Sequence, residues 1–367
     1  MAKVDPTFAN EIKKYGAPDF SGCYSCGNCT AICGMTDENG NFPRMMIRYG
    51  MLGLKEEILS SKELWLCYAC GECSKTCPRQ AFPGEYMAAL RRYAIASYEP
   101  SGLSKLIFRS NSFFIFLISL LSVFLAFFLL TIKPDETVSR WIFTYLPYEV
   151  IHAIGIVIFS ITGFSMIWGA VTMVRKLRKA EPSGKLNFKA ITAAAKEAAT
   201  VSRYGHCDEE EDGFLKDKSF FQQPRFIHLS VMWGFIGLLA ATTLDFIFKD
   251  PSLTVWWPGR ILGTIAGLFM VYGTSMAIFY RKNKVTETYS RTRMADWVFL
   301  WFLWIAGITG FWLEVAVAFS AESFFNHLIF LIHTIISMEL VLLFSFSKFA
   351  HALYRPIALY FFSNRGK

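Results

Sequence analysis

Long apolar stretches separated by short charged ones fill the last two thirds of the chain. Six of them reach the ~20 residues that a helix needs to cross a ~30 Å hydrocarbon core. They are Asn111–Ile132, Tyr148–Val174, Phe226–Phe248, Arg260–Tyr280, Ala295–Phe319 and Asn326–Ala350. Each is expected to be helical, because backbone N–H and C=O groups in lipid must be satisfied within the segment. The first part of the chain reads differently. Its apolar residues recur at helical spacing in short pieces, as with Met45, Ile47, Met51, Leu54 and Ile58 between Arg44 and Ser60, and again over Tyr86–Tyr98. The Ala-rich stretch Phe188–Val201 predicts one further helix between spans two and three. The pattern predicts an all-α chain. Residues 1–105 form a soluble module, and residues 106–367 form a membrane domain with a long loop at about 175–225.

Composition supports that division. Of 367 residues 53% are apolar and 18% charged, against about 25% charged in a typical soluble domain. A wholly soluble globule is excluded. Charge sets the expected orientation. The loops after spans one, three and five carry four Lys/Arg: Lys133, Arg140, Lys249 and Arg260. The opposite loops and the tail carry nineteen, with Arg175, Lys176, Arg178 and Lys179 directly after span two. Positive charge stays in the cytoplasm, so both termini and the soluble module are expected there, on the cytoplasmic (inner) membrane. The acidic run Asp208–Asp212 reads as a solvated face, with His206 and Cys207 beside it. The opening MAKVDPTFANEIKKYG shows no apolar secretory core.

Eight of the nine cysteines fall between Cys23 and Cys77. They make two runs, Cys23-x2-Cys26-x2-Cys29-x3-Cys33 and Cys67-x2-Cys70-x2-Cys73-x3-Cys77-Pro78. Three cysteines at intervals of three wrap one cubane, and the fourth of each run reaches the other cluster. Cys23, Cys26, Cys29 and Cys77 are therefore expected to hold one [4Fe–4S] cluster, and Cys67, Cys70, Cys73 and Cys33 the second. Zinc sites use separated pairs of ligands and fit poorly. Gly34 stands where the second run has Pro78. The helical spacing between the runs points to an α-helical ferredoxin, which passes single electrons.

Four histidines pair by depth. His333 and His351 are 18 residues apart on span six. On one helix they would share a face ~27 Å apart. His228 opens span three at the inner side, level with His351. His152 opens span two at the outer side, level with His333. Two stacked b haems are expected, with His228/His351 for the inner and His152/His333 for the outer. Intramembrane charge is costly and often functional, which singles out Asp245, Glu314 and Glu339. Asp245 and His327 are candidates for a quinone site near the outer haem. The groups Trp256-Trp257 and Trp297/Trp301/Trp304 read as interfacial and packing residues.

The runs CYSCGNCTAIC and CYACGECSKTCP resemble the C subunit of heterodisulfide reductase. The segment HTIISMELVLLFSFSKFAHALYRP resembles the last helix of the nitrate reductase gamma subunit, where two histidines at this spacing bind haem. His228 matches one partner ligand of that family. The other falls on Leu238, so His152 takes its place. The fusion of both parts is similar to the C subunit of the quinone-interacting membrane-bound oxidoreductase family. That resemblance implies a six-helix cytochrome b bundle and menaquinone as substrate. It also implies two heterodisulfide-reductase-A-like flavoprotein partners, and electron exchange with APS reductase in dissimilatory sulfur metabolism. The expected function is electron transfer between the quinone pool and those partners, in a chain not catalytically complete alone. The alternatives are a membrane anchor of a heterodisulfide-reductase-like or sulfite-reduction-linked complex, and, in a different class, a redox-sensing membrane protein. A transporter is disfavoured, since no internal repeat of spans is visible.

Overall fold

The computed structural model describes residues 3–36, 41–131, 141–181, 186–204, 218–248, 258–285 and 287–364. Lys133, Arg140, Lys249, His206, Cys207, the run Asp208–Asp212 and Trp256-Trp257 lie outside the described residues. All regular structure among the described residues is helical. The helices are α1 (Phe8–Lys13), α2 (Asn28–Ala31), α3 (Arg44–Met51), α4 (Lys55–Leu59), α5 (Glu63–Leu66), α6 (Glu72–Lys75), α7 (Pro83–Tyr98) and α8 (Leu103–Arg109). The long helices follow: α9 (Asn111–Thr131), α10 (Tyr148–Ala180), α11 (Phe188–Thr200), α12 (Pro224–Phe248) and α13 (Pro258–Lys282). The chain closes with α14 (Glu287–Ser290), α15 (Met294–Ala318), α16 (Phe324–Leu343) and α17 (His351–Ser363).

Six of these helices, α9, α10, α12, α13, α15 and α16, are long and apolar enough to cross a membrane. Their outer faces carry exposed large apolar residues such as Val123 (68% exposed), Phe127, Phe164 and Ile167. Exposed apolar surface on this scale needs lipid around it, so the chain is a multi-pass membrane protein. Helix contacts run in the order α12, α13, α15, α16, α10, with α9 against α16. The tightest pair is α12 with α13, which approach on glycines. A Cβ at Gly234 would sit 2.6 Å from the Met270 nitrogen, and one at Gly273 would sit 2.9 Å from the Ile227 carbonyl. Small residues let backbones close up where lipid removes the hydrophobic drive between helices.

The first eight helices share one core. It is built on α7, whose Tyr86, Met87, Leu90, Tyr93 and Tyr98 are buried with Phe8, Ile12, Met46, Ile47 and Trp65. This core continues into the membrane bundle. Trp65 and Tyr98 both pack on Tyr354 of α17, at ring centroid distances of 5.1 and 5.3 Å. The end of α10 is clamped as well, by Lys176 on Glu56 at 2.6 Å and by the buried Lys62 on Glu181. The Ala-rich helix forms as predicted over Phe188–Thr200. The Asn187 side chain caps it by accepting from the amides of Lys189 and Ala190.

The last span differs from the sequence expectation. It does not run to Ala350, and His333 and His351 do not share one helix. The helix stops at Leu343, passes through a short 3-10 turn at Lys348–Ala350 and restarts at His351. The physical reason lies in Phe344-Ser345-Phe346-Ser347. Tight bonds from the Phe344 amide to the Val341 carbonyl and from the Phe346 amide to the Leu343 carbonyl close the helix end. Ser347 turns extended, and its hydroxyl accepts from the Phe349 amide at 3.3 Å. Phe344 stacks on Phe235 of α12 at 5.7 Å and 10°, and Phe349 packs on Phe299 of α15 at 5.0 Å. Aromatic anchors and local hydroxyl bonds outweigh helix continuation.

The α12–α13 contact gives a direct test. Gly273→Leu is expected to destabilise the bundle by about 1–3 kcal/mol through overpacking, seen as a lower thermal midpoint in detergent. Leu substituted at Gly155, where a Cβ meets nothing within 4 Å, should leave the midpoint in place.

Candidate functional site

The two cysteine runs fold into the same loop twice. In each, the residue before the second cysteine and the glycine after it have positive φ: Ser25 and Gly27, Ala69 and Gly71. The glycines at φ 91° and 96° start the one-turn helices α2 and α6. Glycine adopts that conformation without the strain a side chain would bring. The Asn28 side-chain amide donates to the Thr76 carbonyl at 2.7 Å and ties the two loops.

The loops enclose two cavities. One is lined by Cys33, Cys67, Cys70 and Cys73, the other by Cys23, Cys26, Cys29 and Cys77. Each cavity draws three cysteines from one run and one from the other, so the structure brings together the two sets expected from spacing. Among the described residues, no group of three or more Cys, His, Asp or Glu side chains closes around a single ion. The thiols ring a larger space. Backbone amides point at sulfur as well, Ala69 N–H to Cys67 Sγ and Ala81 N–H to Cys77 Sγ, both at 3.4 Å. Burial pushes the Cys29 thiol up to about 11 and the Cys73 thiol well above its ordinary range. These thiols become ligands by releasing their protons to solvent as the metal binds. The donor set fits two cubane clusters.

The cavity of Cys33, Cys67, Cys70 and Cys73 is braced from two directions. Arg91 donates to the Cys67 carbonyl at 2.6 Å and to the Leu64 carbonyl at 3.1 Å. Arg355 donates to the Leu66 carbonyl at 3.3 Å and lies 3.7 Å over the Tyr68 ring. The Tyr68 hydroxyl in turn bonds Glu197 of α11.

Arg355 sits on α17 one turn after His351. The His351 ring faces His228 of α12 with centroids 6.4 Å apart. A metal held between two imidazoles at ~2.0 Å each, with ~1.1 Å from nitrogen to ring centre, sets the centres ~6.2 Å apart. His351 Nδ1–H donates to the Lys348 carbonyl at 2.7 Å, which leaves Nε2 with its lone pair. That is the orientation an axial ligand needs. His228 and His351 fit a bis-histidine haem.

The other predicted residues lie toward the opposite end of the bundle. His152 is on α10, beside Tyr148 at 5.6 Å. His333 is on the neighbouring α16. The Thr309 hydroxyl donates to the Ile305 carbonyl at 2.7 Å, so His333 Nδ1–H donates to Thr309 Oγ1 at 2.9 Å. His333 Nε2 then also keeps its lone pair. Asp245 is exposed at the end of α12. His327 is buried between Trp141 and Tyr145, at 5.2 and 4.7 Å. Its two ring nitrogens face the carbonyls of Ser323 and Trp141 at 2.9 and 3.0 Å. It fastens the segment before α10 to α16. Leu238 packs in the bundle interior.

Sequence reasoning missed Arg355, Arg91 and Thr309. The spacing His351-x3-Arg355 held the signal for Arg355, since four residues on a helix are one turn. Arg91 and Thr309 act through tertiary contacts that no local pattern carries.

Residues 19–81 match the family described as 4Fe-4S dicluster domain. Residues 107–364 match the family described as Citrate utilization protein B. The cysteine region is 36% identical over 63 residues to the C subunit of the H(2):CoB-CoM heterodisulfide,ferredoxin reductase of Methanothermobacter thermautotrophicus, covering 17% of this chain and 34% of that protein. It is 33% identical over 71 residues to the iron-sulfur C subunit of the CoB--CoM heterodisulfide reductase of Methanopyrus kandleri, covering 17% and 37%. The chain thus spans about a third of the length of the curated relatives it matches. No solved structure matches it. The N-terminal module is an electron-transfer unit with two [4Fe–4S] clusters.

The crossed cysteine sets give a test. Cys33→Ser should abolish the cluster in the Cys67/Cys70/Cys73 cavity and spare the other, so iron and sulfide fall to about half and one paramagnetic cluster signal remains. Cys77→Ser should remove the complementary signal.

Proposed function

This chain belongs to the citrate utilization protein B family over most of its length, and from that premise and the site geometry we propose that it is a membrane electron-transfer subunit. It joins the menaquinone pool to soluble flavoprotein partners of the heterodisulfide-reductase-A type, with APS reductase as the further redox partner. Residues 1–105 form the cluster domain and residues 106–367 a di-haem cytochrome b domain. The membrane is the cytoplasmic one. Both termini face the cytoplasm, because the cluster domain packs at the Lys/Arg-rich end of α10.

The observation that carries this reading is the shared helix α17. It presents His351 to His228 at one turn and Arg355 to the backbone beside Cys67 at the next. Clusters and haems, when bound, supply one-electron chemistry. The residues do the rest. Cys23, Cys26, Cys29 and Cys77 hold the first cluster, and Cys67, Cys70, Cys73 and Cys33 hold the second. His228 and His351 would hold the inner haem, and His152 and His333 the outer one. Lys348 and Thr309 fix the ring orientations of His351 and His333 through their Nδ1 bonds. Arg91 and Arg355 position the Cys67 loop against the bundle. Trp65, Tyr98 and Tyr354 exclude water from that junction. We place the quinone site at the end that carries Asp245 and His327. Asp245 there takes a proton released by quinol, and His327 holds the Trp141 segment in place.

The cluster-domain similarity favours one second reading, in which the same chain anchors a heterodisulfide-reductase-like complex. It differs in partner and leaves the residue roles unchanged.

Visible spectra of the purified full chain test the assignment. The wild type should show b-type haem. His351→Ala should remove the inner haem and His333→Ala the outer one, each leaving the cluster signals intact. Wild-type chain without haem, carrying intact clusters, would overturn the reading.

A further inference from the structure

Glu339 lies near the middle of the membrane bundle and no role described so far uses it. It is fully buried. Its Oε1 accepts from the Ser122 hydroxyl of α9 at 2.8 Å. Its Oε2 is buried and has no hydrogen-bond partner. Ser122 is central in α9, so both groups sit at hydrocarbon depth.

Among the described residues it has no ion pair. α9 has no titratable side chain from Asn111 to Thr131. α10 has none between His152 and Arg175. α15 offers Asp296 and Glu314, of which Glu314 is held by the Thr264 hydroxyl at 2.7 Å. Asp296 is engaged with Arg92 and Lys348 near the start of that helix. The 3-10 turn Trp141–Phe143 has no titratable residue. α12 carries Arg225 and His228 near one end and Asp245 near the other, and Arg225 donates to the Thr200 carbonyl. On α16 itself His333 is the nearest titratable residue in sequence, ~9 Å along the axis at 1.5 Å per residue. A carboxylate with a single hydroxyl donor and no cation is strongly disfavoured in such surroundings. The neutral acid removes the charge, and its O–H costs far less to bury than an uncompensated carboxylate.

Further hydroxyls lie on α10 and in the break after α16. Thr162 of α10 donates to the Val341 carbonyl at 2.9 Å. One turn on, Ser165 is buried with its hydroxyl unpartnered, and so is Ser345 in the break after α16. Further along α10, Gly169 lies against the Tyr354 hydroxyl of α17. On α10 these positions step from the Val341 contact to the Tyr354 contact, toward the cluster domain.

We propose that Glu339 is a membrane-embedded proton-binding site, protonated at neutral pH. The ligand is a single proton. It binds a carboxylate oxygen to give the neutral acid, and no electron moves. This goes beyond the haem and quinone assignments and rests only on the apolar bundle, so it stands or falls separately from them.

The test uses the full chain in lipid nanodiscs, with infrared spectroscopy and dicyclohexylcarbodiimide as the probe. The carbodiimide adds across an acid O–H, forms a bond to the acid oxygen and rearranges to a stable acylurea without any oxidant. At neutral pH the wild type should show a protonated-carboxyl C=O band that Glu339→Gln abolishes. Ser122→Ala should shift that band upward by loss of its hydrogen bond. Peptide mass spectrometry should find Glu339 labelled several-fold more than the exposed Glu56, with labelling that persists to higher pH. Glu339→Gln keeps the Ser122 contact, and Glu339→Asp should restore a band, so a folding defect is separable from loss of the site. The proposal fails if the wild-type band is absent, if it survives in Glu339→Gln, or if Glu339 is labelled no more than Glu56.

Discussion

The break after Leu343 is the constraint on which the rest of the structure depends. Had the last span continued as one helix, its end would project straight out of the bundle. Instead Ser347 and the anchored rings of Phe344 and Phe349 end it and restart it at His351. The restarted helix lies beneath the cluster domain, where Tyr354 packs on Trp65 and Tyr98 and Arg355 reaches the Leu66 carbonyl. The same turn swings His351 to face His228. One local departure from helical geometry thereby brings a membrane histidine pair and a cysteine loop onto the two sides of a single turn of helix.

Polar groups are sparse inside the bundle, and several of them are specifically held. The Thr309 hydroxyl satisfies the Ile305 carbonyl and orients His333. The Trp304 indole donates to Ser275 at 3.0 Å, and the Trp312 indole to Asn326 at 2.8 Å. Such bonds are what lets polar side chains persist where water is absent. The clamps between the halves are of a different kind. They are ion pairs and cation–π contacts at the membrane edge, such as Lys176 on Glu56 and Arg355 on Tyr68. They set where the two halves meet, and the aromatic core at Tyr354 supplies the apolar contact that holds them.

Much of this was legible in the sequence, for identifiable reasons. The spans were legible because lipid imposes length and hydropathy together. Helix starts moved by only a few residues, as with Pro224 for Phe226 and Phe324 for Asn326. The cysteine sets were legible because an interval of three, closed by Gly27 and Gly71 in a left-handed conformation, leaves the loop little freedom. The break was hidden because hydrophobicity runs through Phe344–Phe346 without interruption. Only the two serines marked it, and serine is common inside membrane helices. Bracing by Arg91 and the orientation of His333 by Thr309 depend on which helices become neighbours, and no local pattern contains that. The family match over residues 107–364 carries a different description from the nitrate reductase gamma resemblance drawn for the last span, so the pairing of His228 with His351 rests on ring geometry.

The central claim is that the cluster domain and the membrane domain form one electron conduit. The most direct test reduces the full chain in nanodiscs, removes the reductant and then supplies menaquinone confined to the lipid. Freeze-quenched paramagnetic resonance follows the clusters. The account predicts that both reduced cluster signals disappear when the quinone enters the bilayer, and that they persist with quinone-free lipid. Clusters that stay reduced beside a lipid phase full of oxidised quinone would contradict it, and the two halves would then be joined in structure alone.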